Sequence, residues 1–209
     1  MKYKYFYWNI FRRCLKKSVS IRLGPKRAKQ VLMAGKIQYR RLCHEAPDLG
    51  KGNPYALNAY FAYVFIGVWL GANKELSPKT MAEIMGESLQ LVKPLFKVIN
   101  FNKPISVKFA KKVLFGDYLK WYKKNGKKYP NTWIPKGNLE NREGLYYELH
   151  SCPICEFCRA QGISEIMPPL CEMDNMMFSM MRGKLTRRQT IASGGSMCDY
   201  WVVGDNEMS

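Results

Sequence analysis

Five of the chain's seven cysteines fall between Gly144 and Val203, spread over GLYYELHSCPICEFCRAQG, MPPLCEMDNMM and LTRRQTIASGGSMCDYWVV. Sulfur at that density can hold a metal, attack an electrophilic carbon or simply pack. Cys152, Cys155 and Cys158 are separated by two residues each, so their thiolates could converge on one zinc ion or iron–sulfur cluster, with Cys171 or Cys198 completing four ligands. Zinc sites usually pair two separated CxxC knuckles, however, and only one such run is present. The other chemistry is nucleophilic. Pro153 can open a helix directly after the aromatic-rich strand pattern Leu145–Leu149, which sets Cys152 among the unpaired N–H groups of a helix N-terminus, where a thiolate is stabilised. His150 stands two residues earlier, on the same strand face. Cys171 and Asp174 are three apart on a helix suggested by Pro168-Pro169, hence on one face.

A hairpin must bring in the remaining groups. Leu185–Ala192 and Met197–Val203 read as its strands, turning through Ser193-Gly194-Gly195-Ser196; one carries Arg187, the other Cys198 and Asp199. Upstream the pattern is helical. Tyr3, Phe6, Tyr7, Ile10, Phe11, Cys14 and Leu15 form one face of a basic amphipathic helix, and Gly24-Pro25 starts a second that runs to about Leu42, with His44 capping or packing near its end. Pro54–Asn73 holds no charged residue and is long enough to cross a bilayer. Asn58, Asn73 and its tyrosines and tryptophan lie along its length and not only at its ends, so a helix buried on all sides is the expectation. Ser77-Pro78 is an N-cap and first-turn pair for a helix reaching about Pro94, and another helix spans Ile105–Lys124. The lysines from Lys123 to Lys128, with Pro130 and Pro135, predict a basic loop or linker. The fold class that follows is α+β: a helical first two thirds packed on a small antiparallel sheet that includes the C-terminal hairpin. The expected division is a basic helical segment, 1–45, and an α+β domain, 46–209.

At 209 residues, 47% of them hydrophobic and 24% charged, the chain has the composition of a folded domain and not of a disordered one. Its formal charge of +18 is polarised: residues 1–140 hold 28 Lys and Arg against 7 Asp and Glu, and residues 141–209 hold 6 against 9. Residues 1–40 could therefore meet an anionic membrane surface or nucleic acid, or form a solvated helical face; no named nucleic-acid motif accompanies them. An odd cysteine count without a secretory signal predicts a cytoplasmic protein with free thiols, membrane-associated if the basic helix binds lipid. A homo-oligomer is compatible with the sequence.

Taken together, Cys152-Pro153, Cys158, Leu170-Cys171-x-x-Asp174, Arg187-x-x-Thr190-Ile191, Gly194-Gly195 and Cys198-Asp199-Tyr200 resemble the L-2-amino-thiazoline-4-carboxylic acid hydrolase family, over about residues 50–203. Cys155 lies outside that pattern, Tyr200 stands where phenylalanine is usual, and the basic N-terminal helix has no counterpart in it. The resemblance implies an antiparallel sheet covered by helices and a hydrolase that opens a 2-aminothiazoline ring to N-carbamoyl-cysteine without a cofactor. Such a reaction needs attack on an amidine-like carbon and proton delivery to the departing group, either by a thiolate or by activated water. Cys152 is then the first candidate nucleophile and Cys198 the second, with Cys171 in the same site; Asp174 or Asp199 moves protons; Arg187, with Thr190 and His150, binds a substrate carboxylate.

Each group has a plainer use. Cys171 can pack against the methionine-rich run Met173, Met176, Met177, Met180 and Met181, itself an adaptable core or pocket wall. Asp199 can brace Arg187 across the hairpin, Gly194-Gly195 can serve the turn, and His150 can pack. A ligand-sensing or metal-binding module without turnover is the rival to the enzyme.

Overall fold

The computed structural model describes residues 1–137 and 143–206. Helices α1 (Tyr5–Leu23), α2 (Pro25–Glu45) and α4 (Pro78–Leu89) surround α3 (Ala56–Gly71). Ten of the sixteen residues of α3 are buried, from Ala59 to Trp69, which answers its lack of charge. Among the described residues no helix is long and apolar enough to cross a membrane. Helices α2 and α3 meet backbone to backbone. A Cβ on Gly71 would lie 2.4 Å from the Gly35 nitrogen, and one on Gly67 2.8 Å from the Gly35 carbonyl oxygen, so only glycine permits this approach.

The basic N-terminal helix docks. Trp8, Phe11, Leu15 and Val19 of α1 share one continuous core with Val31 and Tyr39 of α2, the α3 side chains, and Tyr147 and Val202 of the sheet. Phe6, expected on the inner face, is 67% exposed, and Trp8 takes the buried position instead. The apolar face of α1 is thereby used up in the core.

Ser77 caps α4 as expected, its hydroxyl accepting the Thr80 N–H at 3.1 Å. The helix stops at Leu89, short of Pro94, and a separate turn, α5 (Lys93–Phe96), starts with Pro94 in its first turn, where its missing N–H costs nothing. The long helix expected over 105–124 is divided into α6 (Pro104–Ala110) and α7 (Asp117–Asn125) by a π-helical turn, Lys111–Gly116. One carbonyl of that turn, Leu114, accepts the Tyr55 hydroxyl at 2.6 Å.

Beyond α7 the expected linker contains a strand. Residues Pro135–Lys136 (β1) pair with Leu145–Leu149 (β2), giving an antiparallel sheet of order β1-β2-β4-β3 with Gly183–Thr186 as β3 and Cys198–Gly204 as β4. Helices α8 (Pro153–Ala160) and α9 (Met167–Met180) begin at the prolines that predicted them. The first hairpin strand is shorter than expected, ending at Thr186 and not at Ala192, and residues 187–197 form a long connection in place of a tight turn. Asp199 causes this: its carboxylate accepts the backbone N–H groups of Arg188 and Gln189 at 3.0 Å, taking donors that a continued ladder would need. Gly194, at φ +90°, is left-handed as a turn former should be, whereas Gly195 is required by its approach to Gln189.

Candidate active site

Register places the site. Leu149 faces Cys198 and Tyr147 faces Tyr200 across the β2–β4 pair, so all four point to one side of the sheet, while Glu148 and Asp199 point to the other. On the first side lies a cavity of about 280 Å³. Its wall includes Cys152 ahead of α8, Cys171, Asp174 and Met177 from α9, Cys198 and Tyr200 from β4, Phe61 from α3 and Val113 from the π-helical turn. The exposed Leu57 and Asn58 at the start of α3 mark its mouth. Three sulfurs distant in sequence thus meet on one hollow. Cys155 and Cys158 do not: both are buried in the core, with the Arg159 guanidinium 3.9 Å from the Cys155 sulfur. Among the described residues no group of three or more His, Cys, Asp or Glu is placed to hold a metal ion.

Asp174 is the charged centre of the wall. Its Oδ2 accepts the Arg187 Nη1–H at 2.9 Å and the Tyr200 hydroxyl at 3.0 Å, while Arg187 Nη2–H donates to the Cys171 carbonyl at 2.7 Å. The Arg187 guanidinium also lies over the Tyr200 ring, 5.4 Å from its centre, and that ring stacks on Tyr147 at 4.6 Å. Some 31% of the Asp174 side chain is accessible although protein surrounds it, because the free surface faces the cavity. Burial lifts the Asp174 carboxyl above its ordinary value of 3.8, against the pull of Arg187 and Tyr200. Burial is the largest single influence on Arg187 and would lower it, but Asp174, Tyr200 and the Cys171 and Cys198 thiols together raise it and the guanidinium stays protonated.

The thiols are neutral at rest. Burial pushes Cys171 up to about 12, helped by the Asp174 charge. Cys152 is raised strongly by burial too, which overturns the expectation of a thiolate held by a helix N-terminus: its sulfur makes no capping hydrogen bond, and the nearby Cys155 N–H only partly offsets its desolvation. Cys198 is also raised by burial, yet two groups oppose the rise, the Ile191 N–H at 3.3 Å from its sulfur and the Arg187 charge. Of the three, Cys198 has the surroundings most favourable to a thiolate.

Several expected members stand elsewhere. His150 pairs with Glu148 at 2.9 Å on the far face of the sheet, because β2 ends before it and the chain turns between His150 and Cys152. Asp199 serves the connection and does not brace Arg187. Thr190 and Ser193 cap a single 3-10 turn, Ile191–Ser193, through a reciprocal capping box. Arg187 sits behind Asp174, outside the cavity wall. Conversely, Tyr147 and Tyr200 line the cavity unannounced; the alternation along Leu145, Tyr147 and Leu149 was the signal that could have found the first. Met173 and Met177 are cavity wall and Met180 and Met181 core, so both uses expected of the methionine run occur.

No curated protein and no solved structure matches the chain. Residues 58–202 match the family model of L-2-amino-thiazoline-4-carboxylic acid hydrolase. That span covers well over half of the chain and carries the cavity wall apart from Pro54, Tyr55 and Leu57. On this match, the chain belongs to the L-2-amino-thiazoline-4-carboxylic acid hydrolase family.

Proposed function

We propose that the protein hydrolyses a small cyclic amidine of the 2-aminothiazoline kind, opening the ring at its carbon–sulfur bond. The observation that carries this reading is the meeting of Cys152, Cys171, Cys198 and Asp174 on one hollow of about 280 Å³. That volume is at the lower end of the about 300–1,000 Å³ typical of ligand pockets, which suits a single heterocycle. Cys198 is the nucleophile. Asp174, whose raised proton affinity suits a shuttle, takes the thiol proton as sulfur adds to the amidine carbon. The bond from that carbon to the ring sulfur breaks, and the ring sulfur leaves as a thiol carrying the proton from Asp174. Water then adds to the same carbon, giving one proton through Asp174 to the departing Cys198 sulfur and the other to the former ring nitrogen, which leaves a carbamoyl group on that nitrogen. Cys152 and Cys171 shape the pocket beside it.

Arg187, expected to bind a substrate carboxylate, has its fork engaged by Asp174 and the Cys171 carbonyl, and no Lys, Arg or His lines the cavity among the described residues. The better fit is therefore a ring without a carboxylate. The test is release of free thiol from 2-aminothiazoline and from its 4-carboxylate. Ring opening is expected with the first substrate faster, and Cys198→Ser is expected to abolish it while leaving the thermal transition in place. Wild-type rates in both Cys198→Ser and Cys152→Ser would remove the thiol mechanism, and a wild-type rate in Asp174→Asn would remove the site. Neutral, desolvated thiols also suit a ligand-sensing pocket; binding of the ring without opening would select that reading.

A further inference from the structure

The stretch between α4 and α7 has two faces of opposite use. Leu89, Phe96, Val113 and Leu114 turn inward to the cavity wall. Leu91, Leu95, Val98, Ile105 and Phe109 turn outward, and three of them are nearly bare: Ile105 is 85% exposed, Leu95 74% and Val98 72%. Solvent-exposed aliphatic side chains in such number within twenty residues are not what a surface exposed only to water carries.

Charge accompanies them. From Ser88 to Gly116 there is no acidic residue, while lysines stand at 93, 97, 103, 108, 111 and 112. None of these lysines is in a salt bridge among the described residues, unlike Arg22, Arg27 and Lys74 elsewhere on the helical surface. Lys93 and Lys97 also border an open groove of about 550 Å³ against the end of α9, where Arg182 adds a third cation and Asp205, paired with it, is the one acid. Apolar side chains that insert between acyl chains, with unpaired lysines that meet the headgroups, are the pattern of an interfacial membrane contact. A nucleic acid would use the lysines and leave the aliphatic groups without a role.

We infer that residues 91–112 dock the protein on an anionic lipid surface, with Leu95, Val98 and Ile105 inserted and Lys93, Lys97 and Lys103 on the headgroups. Because the inner side of the same stretch lines the cavity, docking sets that part of the cavity wall beside the bilayer. The inference is independent of the chemistry assigned to Cys198.

The experiment is cosedimentation of the full chain with vesicles of phosphatidylcholine alone and of phosphatidylcholine mixed with phosphatidylglycerol, at low and physiological salt. Binding to the mixed vesicles, weakening with salt and weak on phosphatidylcholine alone, is expected. The double substitution Leu95→Glu, Ile105→Glu is expected to weaken it by about tenfold or more, since it removes two inserted side chains and adds two repelled charges. A second variant, Lys93→Glu with Lys97→Glu, is expected to do the same and keeps the test decisive should the first misfold. No binding to mixed vesicles, binding unchanged in well-folded variants, or binding to duplex DNA in place of vesicles would each overturn the inference.

Discussion

Tyr200 shows how one hydroxyl sets the working range of the site. Its phenol donates to the same Asp174 oxygen that Arg187 holds, and such a donor favours the ionised carboxylate. Phenylalanine, usual at this place in the family pattern, cannot do so. In Tyr200→Phe the Asp174 carboxyl, already raised by burial, loses a hydrogen bond that favours its ionised form and is expected to rise further. If the ionised carboxylate accepts the Cys198 proton, the acid limb of a kcat/KM profile moves to higher pH; an unmoved limb would show that Asp174 is not the titrating group. The linkage has a definite sign. A carboxyl whose folded value lies above its unfolded one contributes stability fully below the ordinary carboxylate range and loses it as pH rises through the folded value, so Tyr200→Phe extends that loss upward.

At the scale of elements, the site is held by how closely α2 lets α3 approach. Gly35, Gly67 and Gly71 bring the two backbones into contact, and α3 in turn presents Asn58 and Phe61 to the cavity, with Tyr55 just ahead of it. The Cβ of Gly71→Ala would meet the Gly35 nitrogen at 2.4 Å and the Val31 carbonyl oxygen at 2.7 Å. Backbone atoms cannot rotate aside, so the helices must part. The expected cost is about 1–3 kcal/mol, read as a fall in Tm of at least about 2 °C. An unchanged Tm would mean that the helices adjust without loss. The π-helical turn Lys111–Gly116 acts similarly on the opposite wall, where the Tyr55 hydroxyl bonded to the Leu114 carbonyl ties it to the start of α3.

The whole molecule folds on a longer stretch than the family match covers. The match starts at residue 58, yet α1 and α2 close the core over α3: Tyr7 stacks on Tyr60 at 4.5 Å, the Tyr60 hydroxyl donates to the Lys2 carbonyl, and the Tyr39 hydroxyl to that of Lys4. A chain beginning at residue 46 would bare Phe65, whose ring lies 5.1 Å from that of Phe11, together with Tyr60 and the helix face at Gly67 and Gly71 that α2 covers. It is expected to lack a cooperative thermal transition and to aggregate, which circular dichroism on heating would read. A sharp transition in that fragment would support the division at residue 45 expected from the sequence.

Local signals in the chain determined the elements. A charge-free run of helical length became the buried α3, Ser77-Pro78 began α4, Leu145–Leu149 bounded β2 to the residue, and Pro153 and Pro168 sit at the starts of α8 and α9. The alternation of strand side chains also requires that neighbours Cys198 and Asp199 face opposite sides of the sheet. The tertiary structure decided what those residues can do. Whether a thiol is ionised, or an arginine is free to bind a ligand, depends on burial and partners contributed from far along the chain, and spacing carries no record of them. Cys152 was placed at its helix N-terminus by sequence; only the closing of α3, α9 and β4 around it made it a desolvated, neutral thiol, and only Asp174 turned Arg187 inward.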